Sequence, residues 1–322
     1  MWRDGMKYIY LPMLNTLQKE IKKLSRLYSS VAMLALTHGQ AATPTTFGKE
    51  MAVFHRRLNR QATMLKEQRL QGKISGATGT WAAHIVAYPG IDWIRFSGRL
   101  VKRFGLDLSP VTTQVEPHDS LAESYHILAR INSILIDFTR DMWLYISRAI
   151  LGQKKITGET GSSTMPHKIN PIYFENAEGN CGLANAVLNH LASKLTVSRM
   201  QRDLSGSTVV RNQGVALGHS FVGLNNLLKG LDRITINQEN MRAELDKHWE
   251  VLAEAIQTIL RKNGQPGAYN KLKNLTRGNY LDQETIHKLI SDLNITTDDK
   301  NNLLKLTPAD YTGLAHKLAQ MK

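Results

Sequence analysis

The sequence predicts an all-α fold, a bundle of long helices followed by a small C-terminal helical domain. Three observations point there. Apolar residues recur at steps of three and four over long stretches, the period of a helix with one buried face. Strand signals are weak along the whole chain. Short polar clusters containing Gly, Ser and Thr interrupt the periodic stretches and read as loops.

The elements follow in order. A first helix is expected over 8–29. Phe47, Met51, Phe54, Leu58, Ala62 and Leu65 lie on one face of a second. Thr45 or Thr46 can cap it and Gly72 can end it. The stretch 75–118 is richer in Gly, Pro, Thr and aromatic residues, which suits loop mixed with short helix. Asp119 can cap a longer helix carrying Leu121, Tyr125, Leu128, Leu135, Phe138, Met142 and Ile146. If unbroken to Leu151, it is about 48 Å long at about 1.5 Å per residue, a rod that outgrows a small monomer's core. Further helices are expected over 173–196 and 208–231. Shorter polar helices follow, separated by Gly264-Gln265-Pro266-Gly267 and by Asp298-Asp299. We therefore divide the chain into a long-helix bundle, 1–231, and a C-terminal helical domain, 232–322.

With 322 residues, 42% of them hydrophobic, the chain can bury a sizeable core and is not globally disordered. Its net charge of +14 suits an anionic partner. The lysines and arginines are spread rather than bunched, which favours a small anion over nucleic acid. Cys181 is the single cysteine, so no intrachain disulfide exists and a reducing, cytoplasmic setting is expected. No apolar run approaches the roughly 20 residues that span a bilayer, so no membrane partner is expected.

Four polar clusters are the candidate functional regions. They are Thr37-His38-Gly39-Gln40, Thr112-Thr113-Gln114, Gly161 to Asn170, and Arg199 to Arg211. A bundle enzyme builds its site where such residues meet at helix ends, whose free N–H groups suit anions. Lys168 and Asn170 beside a helix start can hold a carboxylate or a phosphate. Arg202 and Arg211 can hold a second anion through forked hydrogen bonds. His38 is a candidate proton carrier, although a loop histidine more often has a surface role. No metal-ligand spacing links His84, His118 and His167, and no metal is expected.

The text of these clusters resembles a known family. GSSTMPHKINP, at 161–171, is similar to the signature loop of the fumarase/aspartase superfamily, and THGQAATP, at 37–44, to a second region of it. QVEPHDSLAE, SRMQRDLSGSTVVRN and HWEVLAEAIQT, starting at Gln114, Ser198 and His248, resemble the adenylosuccinate lyase branch. The resemblance covers essentially the whole chain.

It implies a bundle of the fumarase/aspartase type and a β-elimination that releases fumarate from adenylosuccinate, giving AMP, and from SAICAR, giving AICAR. It implies Ser162 as general base and His38 as general acid. Lys168 and Asn170 match positions facing the succinyl carboxylates. Thr37, Gln114, Asn176, Arg202, Ser207, Thr208 and Arg211 match substrate contacts, with Arg202, Ser207 and Arg211 toward the phosphate. No cofactor is implied. The implied partners are a small nucleotide substrate and further copies of the chain, in a homotetramer with shared sites. A serine hydroxyl is a weak acid, so Ser162 needs positive surroundings and exclusion of water to act as a base.

The resemblance also has gaps. The family carries an N-terminal helical domain, with an Asn-His-Asp stretch and a Thr-Ser pair that bind substrate, and neither occurs before His38. A truncated chain of impaired activity is therefore expected unless a partner supplies these groups. Leu36, Ala41 and Gly206 also depart from the usual residues, and Leu36 alters the setting of His38. The alternatives are an argininosuccinate lyase-like enzyme and a catalytically silent structural homologue.

Overall fold

Capping and turn chemistry set where the rods begin and end. The computed structural model describes residues 1–155, 165, 167–265 and 281–321. Helix α1 (Trp2–Gly5) passes through a π-helical turn, Met6–Tyr10, into α2 (Leu11–Leu27). Helix α3 (Phe47–Glu67) is capped by Thr46, whose hydroxyl accepts the Lys49 N–H at 3.2 Å. It stops before Gly72, because Gln71–Gly72 (β5) pairs in parallel with Asp107–Leu108 (β6). Helix α6 (Asp119–Ser147) has 29 residues. It ends short of Leu151 because Ala149 turns left-handed (φ 55°) and the Ile150 N–H donates to the Tyr145 carbonyl at 2.9 Å. That is a Schellman-type stop made without glycine.

Contact clustering divides the chain into two units. The first comprises Met1–Lys19, Arg56–Leu144 and Lys155–Arg233. It includes α4 (Ala82–Ala87), α5 (Trp93–Arg103), α7 (Ile172–Leu195), α8 (Ser205–Val210) and α9 (Gln213–Arg233). The expected helix at 208–231 is thus two helices. The Asn212 N–H takes a tight bond to the Val209 carbonyl at 3.0 Å, which closes α8 before α9 opens.

The core of this unit is made by α6, α7 and α9. Tyr125, Leu128, Leu135 and Phe138 of α6 are fully buried, as are Cys181 and Leu188 of α7 and Leu224 and Leu227 of α9. Helices α7 and α9 run antiparallel and very close. A β-carbon at Gly230 would meet the Phe174 ring at 2.9 Å, and one at Gly223 would meet Cys181 Sγ at 2.6 Å. The two contacts lie two helical turns apart on each helix. Asn132 of α6 donates to the Ser220 hydroxyl of α9 at 2.8 Å inside this core.

The second unit comprises Glu20–His55, Tyr145–Lys154 and Ile234–Lys322. Three short antiparallel pairs lie in it. Strand β1 (Ala32–Met33) pairs with β4 (Thr45–Thr46), β2 (Leu36–Thr37) with β3 (Gln40–Ala41), and β7 (Leu151–Gln153) with β8 (Ile234–Ile236). Helices α10 (Gln238–Asp246), α11 (Ala253–Lys262), α12 (Gln283–Ser291), α13 (Thr297–Lys305) and α14 (Ala315–Gln320) follow. Trp249, Leu252, Ile256, Leu260, Ile286, Ile290 and Leu303 form an apolar cluster in it. Arg148 donates to both carboxylate oxygens of Glu244 at 2.8 Å and to the Leu34 carbonyl at 3.4 Å, tying the loop after α6 to α10.

Gly223→Ala forces a methyl group into Cys181, and we expect it to destabilise the fold by about 1–3 kcal/mol. The denaturant midpoint measures this, and the cost should shrink in a Cys181→Ala background. Asp299 offers a pH test. The Lys262 ammonium at 2.8 Å and the Asn263 amide at 2.9 Å hold its carboxyl down to about 2, from 3.8. A depressed carboxylate stabilises the fold above its unfolded value and loses that contribution as pH falls through its folded value. The loss therefore lies between about pH 4 and pH 2. Unfolding midpoints measured across that window should fall with acidification, and Asp299→Asn should flatten that part of the profile.

Candidate active site

In the first unit the site is assembled from three loop segments. Lys73 donates from Nζ to the carbonyls of Gly76 (2.9 Å), Thr113 (2.8 Å) and Gln114 (2.8 Å). Burial lowers its pKa, and its charge is used to pin the loop rather than to meet a ligand. The Gln114 N–H donates to the Gln201 carbonyl at 3.2 Å. That bond stitches the Gln114 segment to the Arg202 segment. Two residues on, a carboxylate oxygen of Glu116 accepts the His118 N–H at 2.9 Å, and His118 is left-handed (φ 67°) just before α6.

Asp203 organises the next segment. One of its oxygens accepts from the Ser205 hydroxyl and from the Ser205 N–H at 2.8 Å; the other accepts the Arg199 N–H and guanidinium, each at 3.2 Å. The Ser205 hydrogen bonds, the hydroxyl foremost, pull its carboxyl down to about 2, so it stays an ionised acceptor. Between these segments lies a cleft of about 180 Å³. It is lined by Val115, His118, Leu195, Val197, Ser198, Arg202, Asp203, Gly206, Ser207 and Val210. Arg202 is exposed and makes no hydrogen bond or ion pair among the described residues. A free guanidinium in such a cleft suits a phosphate or carboxylate.

The structure thus brings Gln114, Arg202 and Ser207 into one neighbourhood. Thr208 lies on α8 and Arg211 just after it, both exposed and neither lining the cleft. Lys168 is exposed and Asn170 half-buried in the loop that enters α7, where the Pro171 carbonyl accepts the Phe174 N–H at 3.0 Å. Asn176 lies exposed in the second turn of α7. Ser162 lies outside the described residues.

Thr37 and His38 belong to the second unit. Strands β2 and β3 pair with Thr37 opposite Gln40 and Leu36 opposite Ala41, leaving His38 and Gly39 as a two-residue hairpin loop. Both loop residues have positive φ, 53° and 74°, as in a type I′ turn. Glycine takes that backbone freely, and histidine is among the side chains that tolerate it. Below the strands the Ala42 N–H donates to the Ala35 carbonyl at 2.9 Å. His38 is therefore exposed at the tip of a short, braced ribbon. The two atypical residues, Leu36 and Ala41, face each other across it.

Three residues carry more of this arrangement than their sequence signals suggested. Lys73 reads as a solvated lysine, because two of its three carbonyl partners, those of Thr113 and Gln114, are distant in sequence. His118 lines the cleft through a backbone conformation that composition does not reveal. Asp203 followed by Ser205 does carry a local signal, the side-chain-to-backbone turn favoured by Asp. Among the described residues no group of three or more His, Cys, Asp or Glu side chains is arranged to hold a metal ion, and no helix is long and apolar enough to cross a membrane.

By sequence the chain is a member of a lyase family. Residues 2–185 match the family described as Lyase, and residues 198–312 match Adenylosuccinate lyase C-terminal. The fold is shared with a 3-carboxy-cis,cis-muconate lactonizing enzyme from Pseudomonas putida (TM-score 0.79, 22% identity, covering 99% of this chain and 72% of that one). It is shared too with a fumarate lyase from Mesorhizobium sp. BNC1 (TM-score 0.78, 19% identity, covering 98% and 72%). The chain belongs to the adenylosuccinate lyase family. It is 48% identical to the adenylosuccinate lyase of Legionella pneumophila (strain Corby) over 99% of its own length and 70% of that relative. It is 50% identical to that of Escherichia coli (strain K12) over 98% and 69%.

Replacing Lys73 with Met leaves three carbonyls without their common donor. We expect faster amide hydrogen exchange at Gln114 and its neighbours, with exchange in the α7/α9 core unchanged. Mass spectrometry of deuterium uptake reads both.

Proposed function

We propose that the chain is a carbon–nitrogen lyase that eliminates fumarate from adenylosuccinate, giving AMP, and from SAICAR, giving AICAR. The observation that carries this reading is the cleft in which a free Arg202 guanidinium and the Ser207 hydroxyl stand beside the Gln114 loop. The Ser207 hydroxyl donates to the Leu204 carbonyl at 2.9 Å, so the guanidinium is the free donor that a phosphorylated ligand fits.

Ser162 takes the proton from the carbon next to a carboxylate. The carbanion spreads its charge onto that carboxylate, where Lys168 and Asn170 stabilise it. His38 then protonates the departing nitrogen, so no free amide anion is released. Gln114 and Asn176 orient the substrate. Arg202, Ser207, Thr208, Arg211 and Thr37 complete its binding, the arginines toward the phosphate. The bundle, 1–231, carries most of this chemistry, and 232–322 is an accessory helical domain.

We further infer a homotetramer that works in the cytoplasm. Its support is the large apolar side chains left exposed on the long helices of the first unit, Trp143, Leu183, Val215 and Val222. A bundle helix exposing such residues is suited to packing against another subunit.

The decisive experiment follows the ultraviolet absorbance of adenylosuccinate. It is run with the chain alone and with the chain joined to the part of the Escherichia coli relative that it does not match. Turnover is expected in at least the second form. Ser162→Ala and His38→Ala should each lower kcat by about 100- to 10,000-fold, the usual range for losing a proton-transfer group. Turnover of argininosuccinate instead, or undiminished turnover by Ser162→Ala, overturns the proposal.

A further inference from the structure

A chain of side-chain amides crosses from α7 to α9, and its polarity can be deduced atom by atom. Asn226 of α9 donates from Nδ2 to the Val222 carbonyl at 2.9 Å and to Asn176 Oδ1 at 2.8 Å. Asn180 of α7 donates from Nδ2 to the Asn176 backbone carbonyl at 2.9 Å and to Asn176 Oδ1 at 2.9 Å. A backbone carbonyl only accepts, so it fixes which end of Asn226 and of Asn180 is nitrogen. Both NH₂ groups then spend their second proton on one atom of Asn176. That atom must be its oxygen, since a nitrogen there would set donor against donor. Asn180 Oδ1 in turn lies 2.8 Å from His219 Nδ1, which therefore donates.

The consequence lies at the other end of the Asn176 amide. Its oxygen is engaged twice, and its Nδ2 has no partner among the described residues, on an exposed face of α7. We propose that Asn226, Asn180 and His219 are positioning residues that lock Asn176 as a two-proton donor, so that it can only meet an acceptor, an anionic or carbonyl oxygen of the substrate. This rests on the reading of Asn176 as a substrate contact. An unlocked asparagine could turn over and present its oxygen, which repels an anion; a locked one selects against donors and binds without first losing that freedom.

Asn226→Asp tests the lock, because an aspartate cannot donate to Asn176 Oδ1 and its charge favours the reversed amide. In whichever form turns over adenylosuccinate, KM should rise about tenfold with kcat changed less than about twofold, the signature of lost ground-state binding. Asn226→Ser, which keeps a hydroxyl donor, should recover most of that loss. Asn176→Ala should raise KM at least as much as Asn226→Asp.

A second measurement needs no ligand. In protein labelled with ¹⁵N-asparagine, the side-chain protons of Asn180 and Asn226 should exchange slowly with water and those of Asn176 quickly. Asn226→Asp should slow exchange at Asn176 as its amide turns inward. Protected Asn176 protons in the unaltered protein overturn the lock whatever the kinetics show. An unchanged KM in Asn176→Ala overturns the substrate contact alone, and the exchange measurement still decides the lock. A normal KM in Asn226→Asp, with Asn176→Ala impaired, overturns the lock alone.

Discussion

The close approach of α7 to α9 is the constraint on which the first unit depends. Two glycines of α9 let the Cys181 sulfur and the Phe174 ring lie against its backbone. Any side chain at either glycine would hold the helices apart. At that spacing, short asparagine side chains reach across and bond directly, as Asn226 does to Asn176. With the axes further apart the same amides would be bridged by water or left to solvent, and their orientation would no longer be fixed. Packing and polar geometry are thus one requirement here. The glycines are not helix formers, and their cost in propensity is offset by the contacts they admit.

A second theme is the use of charge to hold backbone in place. Lys73 spends its ammonium on three carbonyls, and Asp203 spends its carboxylate on two N–H groups, a hydroxyl and an arginine. Neither group is then available to a ligand. Among the described residues that line the cleft, Arg202 is a free cation, and these two residues define its setting. A loop-built site on a helical scaffold needs such staples, because its segments lack the ladders that order a helix or a sheet.

The rods were legible because their stabilising pattern is local. A helix writes its buried face at intervals of three and four, and Thr46 announces the start of α3 as a side chain that can accept from the first turn. The stops were harder. Residues after α6 follow a left-handed alanine rather than a glycine and then pair with β8, far along the chain. The expected long C-terminal end of α6 fails for that reason. Likewise the break at Asn212 divides a stretch whose apolar spacing runs on undisturbed. At the site, the Thr112-Thr113-Gln114 cluster was legible as a loop, whereas Ser205–Val210 of the Arg199–Arg211 cluster is helix α8, and the text of the clusters carried the family resemblance. What could not be read was long-range satisfaction, such as the partners of Lys73, because a lysine's ordinary place is in water.

The hairpin that carries His38 asks little of that side chain. The ribbon asks only that the residue tolerate a left-handed backbone, a demand that asparagine, aspartate and glycine meet as well as histidine. Nothing in the ribbon's own hydrogen bonds uses the imidazole. On the proposed reading of His38 as general acid, a lineage descended from such a chain can surrender that acid by a single change of codon and keep the ribbon, so a relative inert by that route is only one step away in sequence space.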